Sequence, residues 1–308
     1  METAALCYNK LLLYDIIRFV YPNTGRLTDQ AKGVFTNMRI YHPVRGVGGA
    51  LRENSFAIID DAGIEIGRGG LEYRILKKML PERPLDIELS MNAHPIASDT
   101  LFGALCARAE SIKSEQGELP ARLYTRCAID DSEKHEYFTR MGFDDYDGDE
   151  LFVLPVPQDM SMRRRNYVPL GTKSIDVDLR TRARREEFLM SLKDFGYVEH
   201  ASEWLEERMK DPVFIARAMY YGSDFVGYVL VTGTQNEAVL EMVAVEPKWR
   251  GKGVACAMID EALSVLVGLH VPYLRANCVR RNKSAMQMFR RAGFEWVRTD
   301  CYLLGRDM

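Results

Sequence analysis

Apolar runs separated by charged or glycine-bearing breaks cover most of the chain, and the spacing inside each run assigns it an element. In the back half, apolar residues three and four apart predict helices over 180–194 and 202–210. Runs over 213–220 and 225–232 read as strands around the turn Gly222-Ser223-Asp224. A strand over 238–245 is halted at Pro247. A helix over 252–267, a strand over 273–278, a helix over 282–291 and a last strand over 294–304 complete the order. The front half repeats it less clearly, with strands over 56–60, 71–76, 85–92 and 122–128 and helices opening at Asp99 and Asp131. Residues 155–172, with Pro155, Pro157, Arg163-Arg164-Arg165, Pro169 and Gly171, read as a linker whose arginines form a solvated patch.

The likeness of the halves extends to residue identities. Residues 123–153 align without gaps on residues 274–304, at an offset of 151, with seven identical positions. Among them are Cys127/Cys278, Phe138/Phe289, Gly142/Gly293 and Phe143/Phe294, where ordinary composition gives roughly two matches. Upstream, His94-Pro95 and Glu246-Pro247 each end an apolar run, at an offset of 152. Two related units are expected.

Composition narrows the chemistry. A chain of 308 residues has room for two cores. Its 41 basic and 44 acidic residues give a formal charge of −3, which argues against a nucleic-acid binder. No apolar run approaches the roughly 18 residues of a membrane span. Residues 11–18 carry charges through their apolar run and lack a small-residue cleavage site, so they read as an amphipathic helix and the protein as cytoplasmic. Cys7, Cys106, Cys127, Cys256, Cys278 and Cys301 form no CxxC or Cys/His pair, and the five histidines are isolated. No metal site and no catalytic triad are expected. The acidic run Asp144, Asp145, Asp147, Asp149 and Glu150 reads as a solvated loop.

The sharpest motif is Arg250-Gly251-Lys252-Gly253-Val254-Ala255, between a strand and a long helix. A helix start presents unpaired N–H groups and the positive end of its dipole to an anion. Glycines let the backbone approach a pyrophosphate closely, and Arg250 and Lys252 add charge. A tight turn that binds nothing has the same pattern. Arg45-Gly46-Val47-Gly48-Gly49-Ala50 fits the same template, but too few residues follow before the next strand for a helix to open. Context demotes it to a loop.

The strand 240–245, the Glu246-Pro247 stop, the turn 250–255 and the series Asn282, Ala285, Phe289, Gly293-Phe294 together resemble the GCN5-related N-acetyltransferase (GNAT) superfamily. The resemblance covers 213–305 well and, through the repeat, 56–154 weakly. It implies an α+β chain of two tandem GNAT-like domains, each a splayed mixed sheet flanked by helices. Residues 1–157 are expected to form a degenerate domain without a CoA motif, 158–172 a linker, and 173–308 the acetyl-CoA-binding domain. The resemblance further implies that the amides of Gly251, Lys252, Gly253, Val254 and Ala255 hold pyrophosphate. Arg250 and Lys252 would add charge there, and the backbone of Val243, Ala244 and Val245 would pair with pantetheine. Asn282 would contact the cofactor near its thiol end.

The reaction so implied moves an acetyl group from acetyl-CoA to a primary amine, directly and without metal; a small metabolite, an antibiotic-like amine and a protein amine stay open as acceptors, with a small molecule favoured. An amine of pKa ~10 must lose a proton before it attacks. Glu241 is the candidate base, one carboxylate in a strand apolar on both sides; strict alternation places Val239, Val243 and Val245 on its face. Glu237 is the runner-up. Many family members protonate the leaving thiolate with a tyrosine, and this chain has Phe289 at that position. The alternative reading is a non-catalytic acyl-CoA sensor or interaction protein, favoured by Phe289 and the degenerate front half. There, Asp99 and Leu101 stand where Gly251 and Gly253 stand, so no CoA site is expected, and Asp99 is expected to cap a helix.

Overall fold

Period-two alternation builds the front sheet. The computed structural model describes residues 38–145, 147–163, 170–192 and 201–308; the stretch 11–18 lies outside them. Strands β1 (Arg39–Tyr41), β2 (Ser55–Ile59), β3 (Glu65–Ile75) and β4 (Leu85–Ala93) form an antiparallel meander. Leu85, Ile87 and Leu89 of β4 are buried in one core with Leu101, Leu105 and Ile112 of helix α1 (Pro95–Glu115). Each such side chain contributes about 2 kcal/mol on burial. Strand β5 (Ala121–Ala128) runs parallel to β4, and α2 (Ser132–Arg140) and β6 (Gly148–Pro155) follow.

The back half repeats this order. Strand β7 (Thr172–Asp176), α3 (Arg182–Leu192) and α4 (Ala201–Arg208) precede β8 (Val213–Tyr221), β9 (Asp224–Gly233) and β10 (Ala238–Val245). Helix α5 (Val254–Gly268), β11 (Tyr273–Val279), parallel to β10, α6 (Lys283–Arg291) and β12 (Glu295–Asp307) complete it. α3 and α4 cover one face of this half around Phe188, Leu192 and Leu205. α5 and α6 cover the other around Ile259, Leu263 and Phe289. The repeat is realised closely. α2 and α6 are each nine residues long, and Asp131 and Asn282 cap them by accepting from Lys134 N and Ala285 N, both at 3.1 Å.

The twelve strands form one sheet in the order β1-β2-β3-β4-β5-β12-β6-β11-β10-β9-β8-β7. The last strand of each half therefore sits inside the other half's sheet. β12 pairs with β5 from Cys301↔Ala128 to Asp307↔Arg122, and β6 pairs with β11 from Tyr273↔Pro155 to Val279↔Asp149.

Several local readings change. β7 opens at the last residue of the expected linker, in a stretch to which no element was assigned; its residues Thr-Lys-Ser-Ile-Asp carry one apolar side chain, as an edge strand can. Arg163 is no solvated patch, since its Nε meets Asp260 Oδ1 at 2.6 Å and its Nη2 donates to the Ala292 carbonyl; Arg164 and Arg165 lie outside the described residues. The acidic run is no solvated loop: Asp147 and Glu150 are buried. Glu150 takes Arg280 and the indole N–H of Trp296, and Asp147 takes Arg281 at 3.1 Å. Asp99 does not cap α1, which opens at Pro95 behind His94; it accepts from the Tyr137 hydroxyl at 3.2 Å.

Candidate active site

β10 and β11 start as a parallel pair and then part. They share only the positions Ala238↔Leu274 and Val239↔Arg275, while β10 stays paired with β9 down to Val245↔Gly227. The backbone of 240–245 thus faces an opening on its β11 side. At that point β10 carries a β-bulge, between the pairs Leu240↔Val231 and Met242↔Leu230, and Glu241 is the extra residue.

The bulge changes which side chains share a face. Leu240 and Val245 lie in the core under α5, and Val243 packs against it; Met242 and Ala244 lie in the core under α3 and α4. Glu241 reaches the α4 side, where the Thr232 hydroxyl donates to its Oε1 at 2.6 Å. Alternation alone had grouped it with Val243 and Val245; the inserted residue reverses the phase beyond Glu241.

Burial pushes the Glu241 carboxyl above the usual glutamate range. The Thr232 hydrogen bond and the guanidiniums of Arg208 and Arg275 oppose that shift, and Asp211 adds to it. Arg208 pairs with Asp211 at 3.3 Å, and Arg275 with Glu237 at 3.2 Å. Glu237 is thus engaged at the strand's mouth, and Glu241 is the carboxylate at the opening. Neither Thr232 nor Arg208 was singled out from the sequence, because their approach to Glu241 depends on the bulge.

Beyond β10, Pro247–Trp249 make one 3-10 turn and α5 opens at Val254. Gly251 and Gly253 both have positive φ, 75° and 79°, a conformation side chains rarely adopt. A Cβ added at Gly251 would meet no protein atom within 4 Å. The space beside Gly251 is therefore open, just ahead of a 15-residue helix whose first amides suit a phosphate. Lys252 places its Nζ 4.7 Å from the Trp249 ring centroid. Arg250 is turned inward: its Nε donates to the Val245 carbonyl at 3.0 Å and its Nη2 to the Lys78 carbonyl at 2.5 Å.

Across the opening, Asn282 is buried and its side-chain oxygen is occupied in capping α6. Phe289 is a core residue against Phe152 of β6 and Phe294, with centroids 5.4 and 5.0 Å away. The Cys278 thiol is held protonated, pushed up to about 12 by burial and by Asp149, Glu150 and Asp147. Tyr302 packs against the front core, and Tyr273 is half exposed. Among the described residues, no group of three His, Cys, Asp or Glu side chains could hold a metal ion. No described helix is long and apolar enough to cross a membrane.

In the back half a mixed sheet thus splays after a short parallel pairing, and a glycine turn leads into the next helix. Residues 180–294 match the model of the acetyltransferase (GNAT) family. Among solved structures, the chain resembles a protein of Enterococcus faecalis V583 described as a probable N-acyltransferase. The identity is 10% over 88% of this chain and 73% of that one, with a TM-score of 0.51. It also resembles a GCN5-related N-acetyltransferase of Sphaerobacter thermophilus, at 15% identity, 84% and 82% coverage and a TM-score of 0.48. A tandem GNAT protein from the clavulanic acid biosynthesis pathway matches at 13% identity, 82% coverage of each chain and a TM-score of 0.44. At such identities the likeness is one of fold. No curated protein matches. The family match lies within the back half, over residues 180–294, and it supports acyl transfer as the general class of activity there.

Proposed function

We propose that the protein is an acetyl-CoA-dependent N-acetyltransferase acting on the primary amine of a small molecule, by direct transfer within a ternary complex. Bound acetyl-CoA would supply the activated acetyl group as a thioester. The observation that carries the reading is the placement of Glu241: a carboxylate of raised pKa, inserted by a bulge where β10 and β11 part. Glu241 takes the proton of the incoming ammonium or amine. Thr232, bonded to one carboxylate oxygen, fixes its orientation. The amides of residues 251–255 hold the pyrophosphate, Val243 to Val245 offer the open edge of β10 to the pantetheine arm, and Asn282 closes the opposite wall. Phe289 supplies no proton, so the leaving thiolate, with a pKa near ~8.5 by analogy with cysteine, is protonated from solvent.

The front half, in this reading, is a degenerate domain over residues 1–157 without a CoA motif of its own, joined through 158–172 to the catalytic domain over 173–308. Glu241→Gln tests the reading. Turnover with an amine panel should fall by about 10²- to 10⁴-fold while acetyl-CoA binding stays within twofold. Unchanged turnover would remove Glu241 from the chemistry, and no turnover in the unaltered protein with bound acetyl-CoA would favour a sensor.

A further inference from the structure

The β3–β4 loop of the front half reaches the turn assigned above to pyrophosphate. Within it, Met79 N and Leu80 N both donate to the Leu76 carbonyl, at 3.0 and 2.8 Å, which curls the segment into a compact turn. Lys78 stands at its tip. Its carbonyl accepts from Arg250, and its own ammonium donates to Glu246 Oε1 at 2.8 Å. Glu246 and Arg250 flank the 3-10 turn that leads into Gly251-Lys252-Gly253.

Two further contacts between the halves lie along the same end of the sheet, where β4 begins and β11 and β12 finish. Arg281 pairs with Asp86, and Arg83 pairs with Asp307 at 2.7 Å. Strand geometry thus holds the front-half loop beside the mouth of the β10–β11 opening.

We propose that Lys78, supplied by the front half, is a ligand of the cofactor's pyrophosphate. This rests on the acetyl-CoA reading of the turn 251–255. In the absence of ligand, Glu246 neutralises the ammonium; both side chains are about a quarter exposed, so the pair is within reach of solvent and of a bound anion. A lysine has a long, rotatable stem and three donors, and can move from a carboxylate to a phosphate that arrives beside it. Arg250, whose guanidinium is spent on two backbone carbonyls, then acts as the strut that fixes Lys78 rather than as the phosphate's own partner. The catalytic half thereby receives part of its cofactor site from a half that carries no glycine turn.

Calorimetry of the full chain with acetyl-CoA, repeated at several salt concentrations, tests this. Lys78→Ala should weaken binding about 3- to 10-fold and flatten its salt dependence, and Lys78→Arg should restore both. Glu246→Gln should tighten binding when Lys78 is present and do nothing in the Lys78→Ala background, because it only releases the ammonium. Wild-type affinity and salt dependence in Lys78→Ala would overturn the proposal. So would equal weakening by Lys78→Ala and Glu246→Gln, which would mark the pair as a structural latch alone. If the unaltered protein takes up no acetyl-CoA at all, the reading of the turn itself fails, and this inference falls with it.

Discussion

The two halves contain the same device in two states. In each, a parallel strand pair opens into a splay: β4–β5 in front, β10–β11 behind. The front pair holds together for four positions, Leu85↔Ala121 to Glu88↔Tyr124, and the back pair for two. β3 and β4 keep an unbroken register from Ile75↔Leu85 to Gly67↔Ala93, whereas β9 and β10 are interrupted at Glu241. His94 N donates to Ile66 O as Glu246 N donates to Val226 O, so these positions correspond. One residue more separates Ala238 from Glu246 than Ile87 from His94, and that residue is the bulge. Past it, α1 opens at once on Pro95, while the back half spends residues 247–253 on a 3-10 turn and two glycines. The proposed base and phosphate cradle thus differ from a plain strand–helix junction by one inserted residue and one short loop.

Cutting the chain between the halves should have the largest effect. Residues 173–308 alone lack β6, which separates β11 from β12, and residues 1–157 alone lack β12, which separates β5 from β6. Neither fragment should give a cooperative thermal transition, and co-expression of the two should restore one. A fragment 173–308 that unfolds cooperatively by itself would show that the strand exchange is dispensable. Next in size, the unaltered chain should bind one acetyl-CoA, and Gly253→Glu should abolish binding by placing a carboxylate at the cradle in a conformation side chains rarely adopt. Two sites per chain would mean that the front splay also binds cofactor, despite its continuous helix.

A smaller effect belongs to the seam between the halves. Arg281, just before Asn282, is part-buried between Asp86 of β4 and Asp147, and its own backbone N–H is held by Asp147 Oδ1 at 3.0 Å. Asp86→Ala leaves that guanidinium with one carboxylate instead of two, and should cost about 2 kcal/mol in denaturant unfolding. A loss under 1 kcal/mol would show that the front half does not secure the turn carrying Asn282.

How much of this was legible follows from what kind of pattern each feature leaves. Elements with strict periodicity were read to within a residue or two: β10 over 238–245, and α6 behind its Asn282 cap. The bulge left a trace, the change of repeat offset from 151 to 152, but an offset does not say which residue is extra or which way it points. The strand exchange left none. Hydrophobic alternation in β6 and β12 is the same whichever neighbour they join, and the choice rests on tertiary pairing. The acidic run over 144–150 misled because a carboxylate's solvation is decided by distant partners, here Arg281, Arg280, Arg126 and Arg122. Lys78 offered no signal at all; its interest comes from a loop 168 residues away in sequence.

The finest test addresses the bulge residue through its neighbour. A general base acts only when deprotonated, so the rate should fall as pH drops through the Glu241 pKa, and that acid limb should lie above the ordinary glutamate value of ~4.3. Thr232 donates to the carboxylate, which favours the charged form and holds the pKa below what burial alone would set. Thr232→Val removes the donor and keeps the shape, so the limb should move to higher pH. Arg208→Gln should move it the same way, because it removes a positive charge acting on the same group. The front half offers no counterpart, since its β4 has no inserted residue to aim a carboxylate into its splay. A limb that stays in place in both variants would mean that the titrating group is not Glu241, and that the bulge shapes the opening without supplying the base.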